Sequence, residues 1–113
     1  MKDNKFVIRI FDEIGGDSAI SVDDGIIVYN KIDKAFTQSL NVTLDFQNID
    51  LLITAFLNAA IGQLYSKYTS DFLTENLNLI NVKPEDVRLF QQVIQRAKEY
   101  FANPEDFEKS IKE

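Results

Sequence analysis

Carboxylates and hydroxyls are the groups through which this chain could do chemistry. Its 113 residues include no cysteine and no histidine, which removes disulfides, thiolate nucleophiles, histidine bases and the usual zinc and haem ligands. The remaining polar groups gather at strand ends. Asp12 follows the apolar run FVIRIF, while Asp45 and Asp50 flank the end of a second run, VTLDF. If these runs are neighbouring strands, Asp12, Asp45 and Asp50 converge, and a carboxylate cluster binds magnesium or exchanges protons. Thr54 places a hydroxyl where the next helix begins, and a threonine there serves as a helix cap. Asn58, on the same turn, is the polar side chain best placed for an outside contact. Phe56 between them reads either as an aromatic anchor for a partner or as a core residue, and helical spacing favours the core. The four glycines, Gly15, Gly16, Gly25 and Gly62, have no phosphate-loop spacing, and there is no serine hydrolase elbow.

The elements that must hold these residues follow from periodicity. Residues 6–11 form a first strand that is apolar nearly throughout, closed by Asp12 and Glu13 and followed by the Gly15-Gly16-Asp17 turn. Ser21 is a helix N-cap with Asp23 and Asp24 in the first turn, and a helix over residues 22–38 buries Val22, Ile26, Tyr29 and Phe36, with Ile32 close by. Gly25 marks a close approach of that helix to the sheet. Val42, Leu44 and Phe46 alternate with Thr43 and Asp45, which leaves Asp45 free to be exposed on the far face. From Thr54 the period lengthens through Leu57, Ile61, Leu64 and Tyr68, so the strand-to-helix junction lies between Gln47 and Thr54. Ser70 caps a short helical turn. Residues 77–82 form a third strand, and Pro84 opens a helix with the stripe Val87, Phe90, Ile94, Ala97 and Phe101 facing the sheet. Asn103-Pro104 starts a final short helix carrying Phe107 and Ile111. Alternating strands and helices imply an α/β fold with a small, mainly parallel sheet of about four strands and helices packed on it. The fourth strand would be residues 17–21, paired back on the first as an edge hairpin.

The length implies one domain spanning residues 1–113. Twelve basic and eighteen acidic residues give a net charge of −6, and the basic residues are scattered. Nucleic acid and anionic membranes are therefore poor partners, whereas a basic protein remains compatible. With no apolar run of membrane-spanning length and no signal peptide, a cytoplasmic location is expected.

The central stretch LDFQNIDLLITAFLNAAIGQLY resembles STAS domains, the anti-sigma-factor antagonist fold, and is more similar to a STAS-like family of uncharacterised function. Leu44-Asp45-Phe46 matches the strand, Ile53-Thr54-Ala55 the hydroxyl turn and Phe56-Leu57-Asn58 the helix start. Residues 19–25 and 80–85 are similar to the flanking motifs. The resemblance implies a non-enzymatic interaction module without metal or cofactor. Its partner would be another protein, an ATPase-type kinase or a regulator, contacted through Asp50, Thr54, Phe56 and Asn58. In the antagonist branch a hydroxyl at this turn is phosphorylated to switch binding off, and Thr54 is the position that keeps one. A phosphate there would sit at a helix N-terminus, which favours negative charge. The alternative is a magnesium-dependent phosphoacceptor or small enzyme using Asp12, Asp45 and Asp50. Asp12-Glu13 and Lys83-Pro84 give it a similarity to receiver domains, but a receiver needs five strand–helix units and this chain offers about three.

Overall fold

The computed structural model of the protein describes residues 4–102. The elements run β1 (Lys5–Arg9), α1 (Ile10–Ile14), β2 (Ser18–Ala19), α2 (Val22–Thr37), β3 (Asn41–Asp45), β4 (Leu51–Leu52), α3 (Thr54–Ala60), a 3-10 helix (Gly62–Ser66), α4 (Ser70–Asn76), β5 (Leu77–Ile80) and α5 (Pro84–Ala102). The expected final helix around Phe107 and Ile111 lies outside the described residues.

The fold is α/β and its strand pairs are parallel. β3 lies between β1 and β5, with Ile8, Leu44 and Leu79 in register on one face and Arg9, Asp45 and Ile80 on the other. Only the first of these faces is apolar throughout. Phe6, Ile8, Val42, Leu44, Leu77 and Leu79 belong to the core there, whereas Val7 and Ile80 on the second face are exposed. β1 is thus an edge strand with one covered face. It also stops at Arg9, two residues early, because Ile10–Ile14 coils into a helical turn closed by Gly15 in the left-handed conformation at φ 74°.

The expected fourth strand exists, but not as a hairpin on β1. Ser18 and Ala19 pair in parallel with Leu51 and Leu52, forming a separate two-stranded sheet. Backbone bonds from the Asp50 and Leu51 N–H groups to the Asp17 carbonyl, and from Ile53 N–H to the Ala19 carbonyl, extend it at both ends. Each of these short strands leads into a helix.

Ser21 caps α2 as expected, its Oγ accepting from Asp24 N–H at 3.0 Å. The buried face is rotated from the expected one. Gly25, Val28, Ile32, Ala35 and Phe36 point inward, while Val22 and Ile26 are exposed. The centre of that face near its start is a residue without a side chain. A Cβ on Gly25 would stand 2.7 Å from the Phe56 carbonyl oxygen and 2.7 Å from Ala59 Cβ. The close approach is therefore between α2 and α3 rather than between α2 and the sheet.

The single helix expected from Thr54 to Tyr68 is broken. Leu57, Ile61 and Leu64 are buried as expected, but Ile61 leaves regular helical geometry at φ −114° and the chain tightens into the 3-10 turn from Gly62. Glycine is a poor helix former, and a tighter turn still keeps Leu64 inside. Thr69, not Ser70, caps α4, accepting from Phe72 N–H at 3.0 Å. α5 begins at Pro84 as expected and packs chiefly on α3 and the 3-10 helix rather than on the sheet. Its buried stripe is Phe90, Val93 and Ala97, with Val87 exposed.

A polar clamp fastens α2 to the end of the 3-10 segment. Asp33 accepts from the Tyr68 hydroxyl and forms an ion pair with Lys67 at 3.0 Å. Phe36, Tyr68 and Phe72 pack their rings beside it with centroids 5.0–5.1 Å apart. The Tyr68 hydrogen bond, then that of Lys67, holds the Asp33 carboxyl below its usual range. Burial and the Asp33 hydrogen bond push the Tyr68 phenol up to about 12.

Two outcomes are expected. Gly25→Ala should destabilise the protein by about 1–3 kcal/mol through overpacking against the α3 backbone, although alanine favours a helix by about 1 kcal/mol. Gly16→Ala, where nothing lies within 4 Å of the added Cβ, serves as the control in urea unfolding. The clamp also sets a pH dependence. The depressed Asp33 carboxyl contributes stability that is present above its unfolded pKa, near 3.8, and lost as pH falls through the folded value. The raised Tyr68 phenol contributes stability that is intact below pH 10 and lost between pH 10 and about 12. The fall in melting temperature between pH 9 and pH 11 should accordingly be smaller in Tyr68→Phe than in the wild type.

Candidate functional site

The segment between β3 and α3 is where the sequence placed the functional residues, and it is built in two parts. The first is the turn after β3. Asp45, at the end of the central strand, is only 8% exposed; the strand is flanked on both sides and its carboxylate is tied down. Its Oδ1 accepts from Gln47 N–H at 2.9 Å and from Asn81 Nδ2 at 2.8 Å. Asn48 and Asn81 both take the left-handed conformation, at φ 68° and 59°, which asparagine tolerates better than most residues. Asp45 thus joins the exits of two neighbouring strands, β3 and β5.

The three carboxylates proposed to act together are not brought together. Asp12 and Asp45 line one polar cleft of about 230 Å³ with Arg9, Phe11, Gln47 and Asn48. Asp50 is outside that lining and forms an exposed ion pair with Lys83 at 3.3 Å. Among the described residues there is no group of three acidic side chains arranged to hold a metal ion.

The second part is β4 and the start of α3. Thr54 is the first residue of α3 and Ile53 is its N-cap, with no side-chain cap hydrogen bond. The reading of Thr54 as a helix cap is therefore replaced: its hydroxyl is exposed and does not hold the helix end. α3 has seven residues, too short for its terminus alone to make an anion site. Asn58 is exposed one turn further on, whereas Phe56 is fully buried. Phe56 belongs to the core and is removed from the partner-contacting set. Asp50, Thr54 and Asn58 remain on the surface.

What the sequence reading missed is a set of exposed aliphatics at this junction and at the paired start of α2. Ile20, Val22, Ile26, Leu51 and Ile53 are 39–51% exposed. The pairing of Ser18 with Leu51 and Ala19 with Leu52 puts Ala19 and Leu52 inside. Strand alternation then turns Leu51 and Ile53, beside Ile20, outward. Val22 and Ile26 are four residues apart and form one stripe on α2, next to the Gly25 contact with α3. Of these residues the periodicity places Val22 and Ile26 in the core, and Ile20, Leu51 and Ile53 lie in stretches too short to have a period.

A parallel α/β domain with this strand-to-helix junction defines the structural class. A family model described as a STAS-like domain of unknown function (DUF4325) matches residues 24–87, more than half of the chain, and the chain belongs to that family. No curated protein and no solved structure gives a match. The matched span contains the Gly25 contact, β3, the junction, α3 and β5.

The Asp45 arrangement has a direct test. Asp45→Ala leaves the Gln47 N–H and the Asn81 amide without their acceptor and should cost about 1–3 kcal/mol of stability. Asp45→Asn keeps an acceptor oxygen and should lose less. Denaturant unfolding of the two variants measures the difference.

Proposed function

We propose that this STAS-like domain is a non-enzymatic module that recognises another protein through residues 49–58 and the adjoining start of α2. The observation that supports it is the exposure of Ile20, Val22, Ile26, Leu51 and Ile53 on the two strand–helix junctions, one of which also carries Thr54 and Asn58. With Ile27, six of the eleven exposed large hydrophobic residues among those described fall in residues 17–27 and 49–58. Such clustering is what interaction sites show, while scattered single hydrophobics need no explanation. Asp45, the most deeply placed acid near the junction, is engaged in joining strand exits, which supports binding over acid–base chemistry.

Thr54 is the regulated residue in this reading, and the partner is an ATPase-type kinase or a regulator, as the antagonist resemblance implies. A phosphate at Thr54 adds nearly two negative charges beside an aliphatic surface. Docking would then have to desolvate them, which opposes association.

The test is capture of partners by the immobilised domain, with Thr54→Glu and Asn58→Arg as variants. Both side chains are exposed, so melting temperatures should stay close to wild type while recovery of the partner drops about tenfold, the loss of roughly 1.4 kcal/mol of binding. Variants that retain every partner of the wild type would overturn the proposal.

A further inference from the structure

The charged residues that adjoin these aliphatic side chains along the chain are acidic. Asp17 adjoins β2, Asp23 and Asp24 occupy the first turn of α2, and Asp50 precedes β4. Asp17, Asp23 and Asp50 are exposed and Asp24 is half-buried. No lysine or arginine occurs between Arg9 and Lys31 or between Lys34 and Lys67. Two cations come from α5 and the turn before it: Lys83 pairs with Asp50, and Arg96 lines a groove with Asn58 on the α5 side of α3.

We infer that the surface receives a protein segment with an aliphatic face bordered by lysine or arginine. This rests on the binding proposal above and adds the chemistry of the partner. The aliphatic centre supplies the area removed from water, and the acidic border selects the sign of the partner's rim and accelerates encounter. Like charges across such a border disfavour an acidic partner. An anionic membrane is disfavoured for the same reason, although an apolar surface alone would suit one.

The experiment uses the full chain labelled with 15N and three synthetic helical peptides of equal length. One has a leucine stripe bordered by lysine, one a leucine stripe bordered by glutamate, and one the leucine/lysine composition scrambled so that no stripe forms. The striped lysine peptide should shift amide signals confined to residues 17–27 and 49–58. Its affinity should fall about tenfold when ionic strength rises from roughly 0.05 to 0.5 M, which screens the border charges. Ile26→Gln combined with Leu51→Gln should weaken it by about tenfold, close to the effect of exposing two aliphatic contacts. Asp17→Asn combined with Asp23→Asn should weaken it and flatten the salt dependence. All four positions are exposed, and melting curves check that the variants fold.

Equal binding of the glutamate peptide, equal binding of the scrambled peptide, shifts spread to Glu85 and Asp86 of α5, or no binding of any peptide would each overturn the inference. If Asn58→Arg abolishes capture of a partner whose binding is insensitive to salt, the binding proposal stands and this inference alone fails.

Discussion

Where α2 passes α3, the space at residue 25 admits a hydrogen and nothing larger. The Phe56 carbonyl oxygen and the Ala59 methyl group both stand 2.7 Å from where a Cβ would be, well inside van der Waals contact. The backbone of α3 thus lies directly against α2, and the two helices approach more closely than side chains normally allow. Much else is set by this contact. Phe56 and Leu57 can be fully buried in a helix of only seven residues because α2 covers one side of it and α5 packs on another. A helix this short is not stable by itself, so its position is fixed by packing rather than by propensity.

The same contact explains why the two-stranded sheet persists. Two residues per strand supply few hydrogen bonds, and an isolated pair of this length would not hold. β2 runs directly into α2 and β4 into α3, so once the helices are locked side by side their leading strands are held in register. The sheet in turn aligns the two helix starts. The product is a pair of parallel strand–helix units whose beginnings face the same way.

The parts legible in the sequence are those where one local signal dominates. Ser21 before two aspartates and Pro84 before two acids each have a single physical interpretation, and the structure agrees with both; the alternation from Val42 correctly marks the strand Asn41–Asp45, although Thr43 and Asp45 on its far face are buried as well. The parts not legible have no period to read. Ser18–Ala19 and Leu51–Leu52 are too short to alternate, and their partner strands are more than thirty residues apart. The rotation of α2 is the more instructive difference. Val22 and Ile26 made a regular apolar stripe, whereas the true contact face is centred near its start on Gly25, which carries no hydrophobic signal at all. Counting apolar side chains therefore places the helix on the wrong side. In the same way Thr54 resembled a cap by its position, but the chain enters α3 through Ile53, leaving the hydroxyl outside.

These differences bear on function because they move residues across the surface. Once Gly25 fixes the buried side of α2, Val22 and Ile26 have no partner within the described residues that covers them, and Leu51 and Ile53 are turned outward by the pairing of Leu52. Phe56 moves the other way, into the core. The carboxylates are rearranged as well: Asp45 is spent on the Gln47 and Asn81 contacts that join two strand exits, while Asp50 joins the rim beside Leu51. A catalytic pair would need two acids with different environments and a shared substrate position. Asp12 and Asp45 share a cleft, but the Oδ1 of Asp45 already serves the backbone. The junction thus presents aliphatic area bordered by charge, with its one hydroxyl, Thr54, at the edge of a helix held in place by the Gly25 contact.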